Sequence, residues 1–362
     1  MMPYLLTFGI ALLVSVALVA TKHWHGKYSL DSIFGVQKSH TEATPRIGGV
    51  AVVLGLMLAW WLSSPRVRLL LGPMLLAGGP AFAFGLAEDL TKHVSVRARL
   101  LATMSSGVLG WFLTGEMITH VNVPVLDWLL GYTVVALVFT AFAVSGIANA
   151  INIIDGFNGL ACGTVIIILS SLALMALQSG DVELATTSFL VVSAVLGLAL
   201  VNWPLGKIFM GDGGAYFVGF CIAWLAVLLL ARHAEISAWA PLLVCGFPVL
   251  EVLFSVSRRW RRGVGVGNPD CLHLHSLVKR RIVRRLAPQA SHLMRNSLTG
   301  AIIWGVALLP TLIAAEWSTD TPVLMLGVAI CALLYWLTYA RITQFRWCFT
   351  ARTLRPAKVF SG

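Results

Sequence analysis

Apolar residues run along this chain in long unbroken blocks, not in alternation and not in narrow helical stripes. Eleven blocks approach the length of a bilayer-crossing helix, at residues 3–21, 47–63, 69–86, 98–115, 128–148, 160–177, 185–202, 214–231, 239–256, 297–315 and 322–340. A spanning helix needs ~20 mainly apolar residues, and continuous runs exclude a transmembrane barrel, whose strands alternate. The pattern predicts an all-α, polytopic integral membrane bundle of about 11 transmembrane helices. Residues 1–345 read as a single transmembrane domain and residues 346–362 as a basic tail. The outside breaks are short, and no soluble domain, linker or low-complexity segment appears along the chain.

Composition agrees: 58% of residues are hydrophobic and 11% charged, where a soluble domain has about a quarter charged. The net charge of +11 is explained by where the cations fall. The first block has no basic residue before it and is followed by Lys22. That order suits a first span with its N-terminus outside better than a signal peptide. With that start, 23 of the 26 lysines and arginines fall on the inside, and only Arg66, Arg68 and Arg232 outside. The bias predicts an outside N-terminus and an inside C-terminus. The excess positive charge, strongest from Arg341 to Lys358, reads as orientation plus contact with anionic membrane lipids, with no nucleic-acid partner. The six cysteines show no zinc or disulfide spacing.

Four inside segments carry chemistry. GLAEDLTKHVSVRAR (85–99) ends one block with Glu88 and Asp89, followed by Lys92, Arg97 and Arg99. NAINIIDGFNGLA (149–161) holds Asn149, Asn152, Asp155 and Asn158 without a cation, and GKIFMGDGG (206–214) sets Asp212 among glycines. The loop 257–296 carries Asp270, His273 and His275. Clustered carboxylates repel one another, and a hard cation is the usual remedy. Magnesium takes a few carboxylates and completes its shell with phosphate oxygens, while the nearby basic groups suit anions. The set suggests phosphoryl transfer from a nucleotide diphosphate to a membrane-borne acceptor. Arg97 and Arg99 could present guanidinium forks to a lipid phosphate. Each signal has a plainer reading. Asp155-Gly156 is a common turn pair, Asp212 a helix cap, the Glu-Asp pair a solvated helix end, His-x-His a weak metal signal and Phe209 a packing residue. Their conjunction on one side favours function. Glu251, inside the ninth block, is either functional or an interfacial acid paired with Arg258.

In combination, NAINIIDGFNGLA, KIFMGDGGAYFVGF, GLAEDLTK, TPRIGGVAV (44–52) and the His-x-His loop resemble the polyprenyl-phosphate N-acetylhexosamine-1-phosphate transferases, in order from Lys38 to Ser276. The resemblance implies transfer of an N-acetylhexosamine 1-phosphate from a UDP-sugar to undecaprenyl phosphate, with Mg2+ (or Mn2+) and release of UMP. It places the site on the cytoplasmic face of a bacterial inner membrane, at the start of a cell-surface polysaccharide such as O-antigen. It implies Asp89, beside Glu88, as base or nucleophile. Lys92 and Asp155 are then further catalytic residues, and Asp212 and Asn152 metal ligands. Asn152, Asn158, Phe209, His273 and His275 would bind substrate, and a homodimer is left open. Glu88 stands where the family has Asp, Cys271 where it has Arg, and Ser276 where it has a third His. The smaller loop suggests a 6-deoxy sugar such as FucNAc or QuiNAc, as well as GlcNAc. Two other classes compete. A transporter would place its ion site at mid-membrane, whereas these acids lie at run ends. A CDP-alcohol phosphotransferase would need paired acidic motifs that this chain lacks.

Overall fold

The computed structural model describes residues 1–31, 43–261, 263 and 272–344. Lys38, Asp270, Cys271 and the basic tail 346–362 lie outside the described residues. The chain begins with α1 (Met2–Ala20) and α2 (Lys22–Ser29). Two-residue strands β1 (Leu30–Asp31) and β2 (Thr44–Pro45) then pair antiparallel, Leu30 opposite Pro45. There follow α3 (Gly49–Leu62), α4 (Pro65–Ala77), α5 (Gly79–Thr91), α6 (Val96–Thr114), α7 (Pro124–Leu130), α8 (Thr133–Ile154), α9 (Leu160–Gln178), α10 (Val182–Asn202) and α11 (Gly211–Arg232). The last part holds α12 (Trp239–Val244), α13 (Gly246–Arg261), α14 (Leu274–Val278), a π-helical turn (Lys279–Val283), α15 (Arg284–Leu286), α16 (His292–Glu316) and α17 (Thr321–Thr343).

This is an all-α polytopic membrane architecture. Among the described residues seven helices are long and apolar enough to cross a membrane, and an eighth crossing follows if α4 and α5 act as one bent span. Every one of the eleven apolar blocks is helical, but not every block is one straight helix. Block 69–86 is divided between α4 and α5, whose axes meet at 45°. Pro73 lies inside α4, and Pro80 opens α5 after Gly78-Gly79; a proline removes one helical hydrogen bond and its ring clashes with the preceding turn. Block 239–256 breaks between Val244 and Gly246 into α12 and α13. The α3 helix is apolar but only 14 residues long. The α6 helix has 19 residues but carries Arg97 and Arg99 in its first turn.

The bundle is organised around α11. In its most apolar stretch 89% of residues are buried, against 11% for α17, so α11 is the axis and α17 the periphery. The α3, α5, α8 and α9 helices pack on α11, α1 lies against α10 and α3, and α16 lies against α9. Small residues allow the close approach, as is common between membrane helices. A Cβ on Gly49 would stand 2.3 Å from Gly214 Cα, and one on Gly219 2.6 Å from Ala148 Cα.

Candidate active site

The N-terminus of α11 is where distant parts of the chain meet. Residues 206–210 run beside residues 44–49. Phe209 N–H donates to Pro45 O (2.9 Å), Gly48 N–H to Phe209 O (3.0 Å) and Gly49 N–H to Met210 O (2.8 Å). At the junction Gly211 has φ 76°, and a Cβ there would sit 1.8 Å from Arg46 O. Only glycine meets both conditions. From the other side, Asn202 at the end of α10 donates to Ile208 O (2.6 Å) and accepts from Gly159 N–H (2.6 Å). The loop after α8 is thereby tied to the loop before α11.

Two carboxylates satisfy the first amides of α11, which no helical carbonyl can reach. Asp89, buried near the end of α5, accepts from Asp212 N–H (3.0 Å) and Gly213 N–H (2.9 Å), one on each oxygen. Asp155, following α8, accepts from Gly211 N–H (2.8 Å). Asp155 keeps some surface exposure, yet its carboxyl is crowded by protein. Desolvation pushes it well above the usual carboxylate range, against the opposing pull of Gly211 N–H and Arg46. Asp212 points away from the helix. Its Oδ1 accepts from Arg46 Nη2 (2.7 Å) and Asn152 Nδ2 (3.1 Å), and its Oδ2 is paired with Arg99 Nη1. Arg46 Nε also lies 3.8 Å from Asp89 Oδ1.

Three carboxylates from three parts of the chain therefore converge on one helix end, faced by two guanidinium groups and one amide. Among the described residues, no three His, Cys, Asp or Glu side chains are grouped to hold a metal ion by themselves. A magnesium ion would find two protein ligands here, Asp212 and the amide oxygen of Asn152, and would take phosphate oxygens for the rest of its shell. Arg99 Nε is buried and lacks a hydrogen-bond partner among the described residues, which leaves a donor for an anionic oxygen.

The other predicted site residues are placed less uniformly. Glu88 accepts from Val94 N–H (2.8 Å) and closes the turn after α5. Lys92, in the left-handed region at φ 60°, folds its ammonium back onto Asp89 O. Arg97 is exposed and forms no ion pair among the described residues, so the structure separates it from Arg99. Phe209 is buried within the 44–49/206–211 pairing. Asn158 is buried and held by α16, donating to Ser297 Oγ (3.2 Å) and accepting from Asn296 Nδ2 (3.1 Å). His273 and His275 converge on Glu251, whose oxygens lie 3.1 and 3.0 Å from their Nδ1 atoms. Glu251 is thus paired with histidines, while Arg258 donates to Leu272 O and Tyr339 Oη. The edge of the His275 ring meets Phe157 (5.1 Å between centroids), which joins the histidine loop to the Asp155 loop.

A glycosyl transferase family 4 profile matches residues 71–230, the span that contains Asp89, Asn152, Asp155 and Asp212. Over 240 residues the chain is 30% identical to a protein of Bacillus subtilis named as a probable undecaprenyl-phosphate N-acetylglucosaminyl 1-phosphate transferase, covering 66% of each chain. The chain belongs to glycosyl transferase family 4. It is also similar to the undecaprenyl-phosphate alpha-N-acetylglucosaminyl 1-phosphate transferase of Yersinia pestis (27% over 252 residues, 67% of this chain and 68% of the relative). A third relative is the decaprenyl-phosphate N-acetylglucosaminephosphotransferase of Mycobacterium leprae (31% over 272 residues, 65% and 66%). The chain thus spans about two thirds of the length of these relatives. As a family 4 member it has two site residues that sequence reasoning missed. Arg46 lies ahead of the matched segment and read as one more orientation charge within TPRIGGVAV. Asn202 read as the end of an apolar run. A signal existed for Arg46, a lone cation between Pro45 and a Gly-Gly pair.

Proposed function

We propose that this protein transfers an N-acetylhexosamine 1-phosphate from a UDP-sugar to undecaprenyl phosphate, releasing UMP, as the first step of a cell-surface polysaccharide. The observation that carries the proposal is the convergence of Asp89, Asp155 and Asp212 with Arg46, Arg99 and Asn152 at the start of α11. A transporter reading has no counterpart to this geometry at mid-bundle. The names of the relatives favour GlcNAc as the sugar. FucNAc or QuiNAc remain the competitors suggested by Ser276 and Cys271, and the site is assigned to the cytoplasmic face of the inner membrane.

In the proposed reaction an oxygen of the lipid phosphate forms a bond to the β-phosphorus of the UDP-sugar. The bond from that phosphorus to the bridging oxygen breaks, and the electron pair leaves with UMP. A magnesium ion bound by Asp212 and Asn152 would supply charge neutralisation on the phosphates. Arg99 and Arg46 orient and neutralise the diphosphate, as guanidinium forks match phosphate oxygens. Asp89 and Asp155 fix the α11 N-terminus. Each Asp89 oxygen retains lone-pair capacity beyond its amide bond, which leaves it the candidate to hold a proton from the acceptor phosphate. Purified protein, UDP-[14C]GlcNAc and undecaprenyl phosphate test this reading: labelled lipid and stoichiometric UMP are expected. Absence of labelled lipid with every UDP-N-acetylhexosamine tried would overturn it. Competition by UDP-FucNAc or UDP-QuiNAc reads the sugar.

A further inference from the structure

Glu251 takes no part in the arginine-lined centre, yet among the described residues it is the most completely enclosed acid in the second half of the chain, with no side-chain exposure. It lies on the buried face of α13 with Phe247, Pro248 and Ser255. A carboxylate buried among apolar side chains costs stability unless it is fully hydrogen-bonded, and here two backbone amides and two ring nitrogens face it, with the Tyr335 hydroxyl as a further donor. Oε2 accepts from Leu274 N–H (3.2 Å) and faces His273 Nδ1 (3.1 Å). Oε1 accepts from His275 N–H (3.1 Å) and faces His275 Nδ1 (3.0 Å). The two rings stack at 5.2 Å, 6° from parallel.

An ionised carboxylate only accepts hydrogen bonds, so a ring nitrogen facing it must carry hydrogen. The bond at one nitrogen of a histidine decides what the other can do. With Nδ1–H committed to Glu251, Nε2 is the atom of His275 left to meet a ligand, and it has no partner among the described residues. The same ring touches Phe157, two residues after Asp155, and Lys279 Nζ stands 5.0 Å from the Phe157 ring centre. The clamp therefore ends beside the loop that reaches the α11 N-terminus.

We propose that Glu251 is a positioning residue: it holds Nδ1 of His273 and His275, turning His275 Nε2 toward an anionic oxygen of the nucleotide-sugar. This rests on the transferase reading, and two independent readouts keep the two apart. The first needs no activity. In full-length protein labelled with [15N]histidine, the His273 and His275 signals, assigned with H273Q and H275Q, are expected to show protonated Nδ1. The E251Q variant is expected to show mixed ring states. An unprotonated Nδ1 at both rings of the wild type would overturn the proposal. The second readout is a double-mutant cycle on transfer. E251Q is expected to lower kcat about tenfold to a hundredfold, in the range seen for residues that orient functional histidines, with the acceptor KM within twofold. On an H275A background the same change should cost less than threefold more. Losses that multiply in full on that background, or wild-type kcat in E251Q, would overturn it. A wild type without transfer activity would defeat the transferase reading while the ring-state measurement still decided the clamp.

Discussion

The two ends of α11 each hold a buried acid, and they are built differently. At the C-terminal end Asp181 accepts from Leu184 N–H (2.9 Å) and Arg232 Nε (2.6 Å) and lies 3.1 Å from His233 Nε2. One carboxylate meets a helix cap and one guanidinium, and its partners come from α10 and the end of α11. That is a closed knot, sufficient to pin two helices together. At the N-terminal end three carboxylates face two guanidinium groups, glycines replace side chains, and the participants come from the 44–49 segment, α5, α6, α8 and α11. Burial of an acid therefore says little about its role. An excess of like charge, gathered from many elements around bare backbone, marks the end where a ligand completes the structure.

The largest break in the comparison is expected from Asp212→Asn. It removes the charge that Arg46 and Arg99 share, and transfer should fall by at least about a hundredfold, the scale on which loss of a preorganised electrostatic group acts. The kcat of the purified variant checks this. Next is Arg46→Met, expected to cost about tenfold to a hundredfold in kcat/KM for the UDP-sugar, because a charge-assisted fork on the diphosphate is lost. Retention of wild-type kcat/KM would return Arg46 to an orientation charge. Asp181→Asn should leave kcat within about threefold but lower thermal stability by about 1–2 kcal/mol, the worth of a cap with partly exposed ion pairing. The pH dependence of that stability loss sharpens the contrast. Burial raises the Asp181 carboxyl, but Leu184 N–H, His233 and Arg232 outweigh it and hold the group below its ordinary value. A depressed carboxylate contributes stability above its unfolded pKa and loses it as pH falls through the folded one. The difference in Tm between wild type and Asp181→Asn should thus be constant near neutrality and shrink in acid below about pH 4. The smallest effect is expected from Arg97→Ala, exposed and without an ion pair among the described residues, with the acceptor KM within about twofold; a large rise would place it in the lipid-phosphate site.

Helices were legible in the sequence because apolar blocks leave the backbone in a bilayer no other way to satisfy itself. Their breaks were not, since Pro80 and Gly246 lie inside runs that hydropathy averages over. The acids were legible from glycine and asparagine context, and Asn152 with Asp212 meets at 3.1 Å across 60 residues. Arg46 was hidden because its partners lie 43 and 166 residues away, and its charge satisfied the orientation count equally well. Asn158 and Asn152 look alike in NAINIIDGFNGLA, yet the helical phase of α8 turns one toward Asp212, while the loop turns the other into α16. Glu251 was visible as an anomaly, but its histidine partners follow a loop whose path no periodicity encodes.

A nucleotide-sugar is expected to bind at one end of α11 and not at the other. Hydrogen exchange of the full-length protein with UDP-GlcNAc and magnesium reads both ends at once. Slower exchange is expected in peptides covering residues 150–158 and 206–214, and unchanged exchange at 179–184 and 231–237. Protection confined to the Asp181–Arg232 end, or none at 206–214 under saturating ligand, would contradict it.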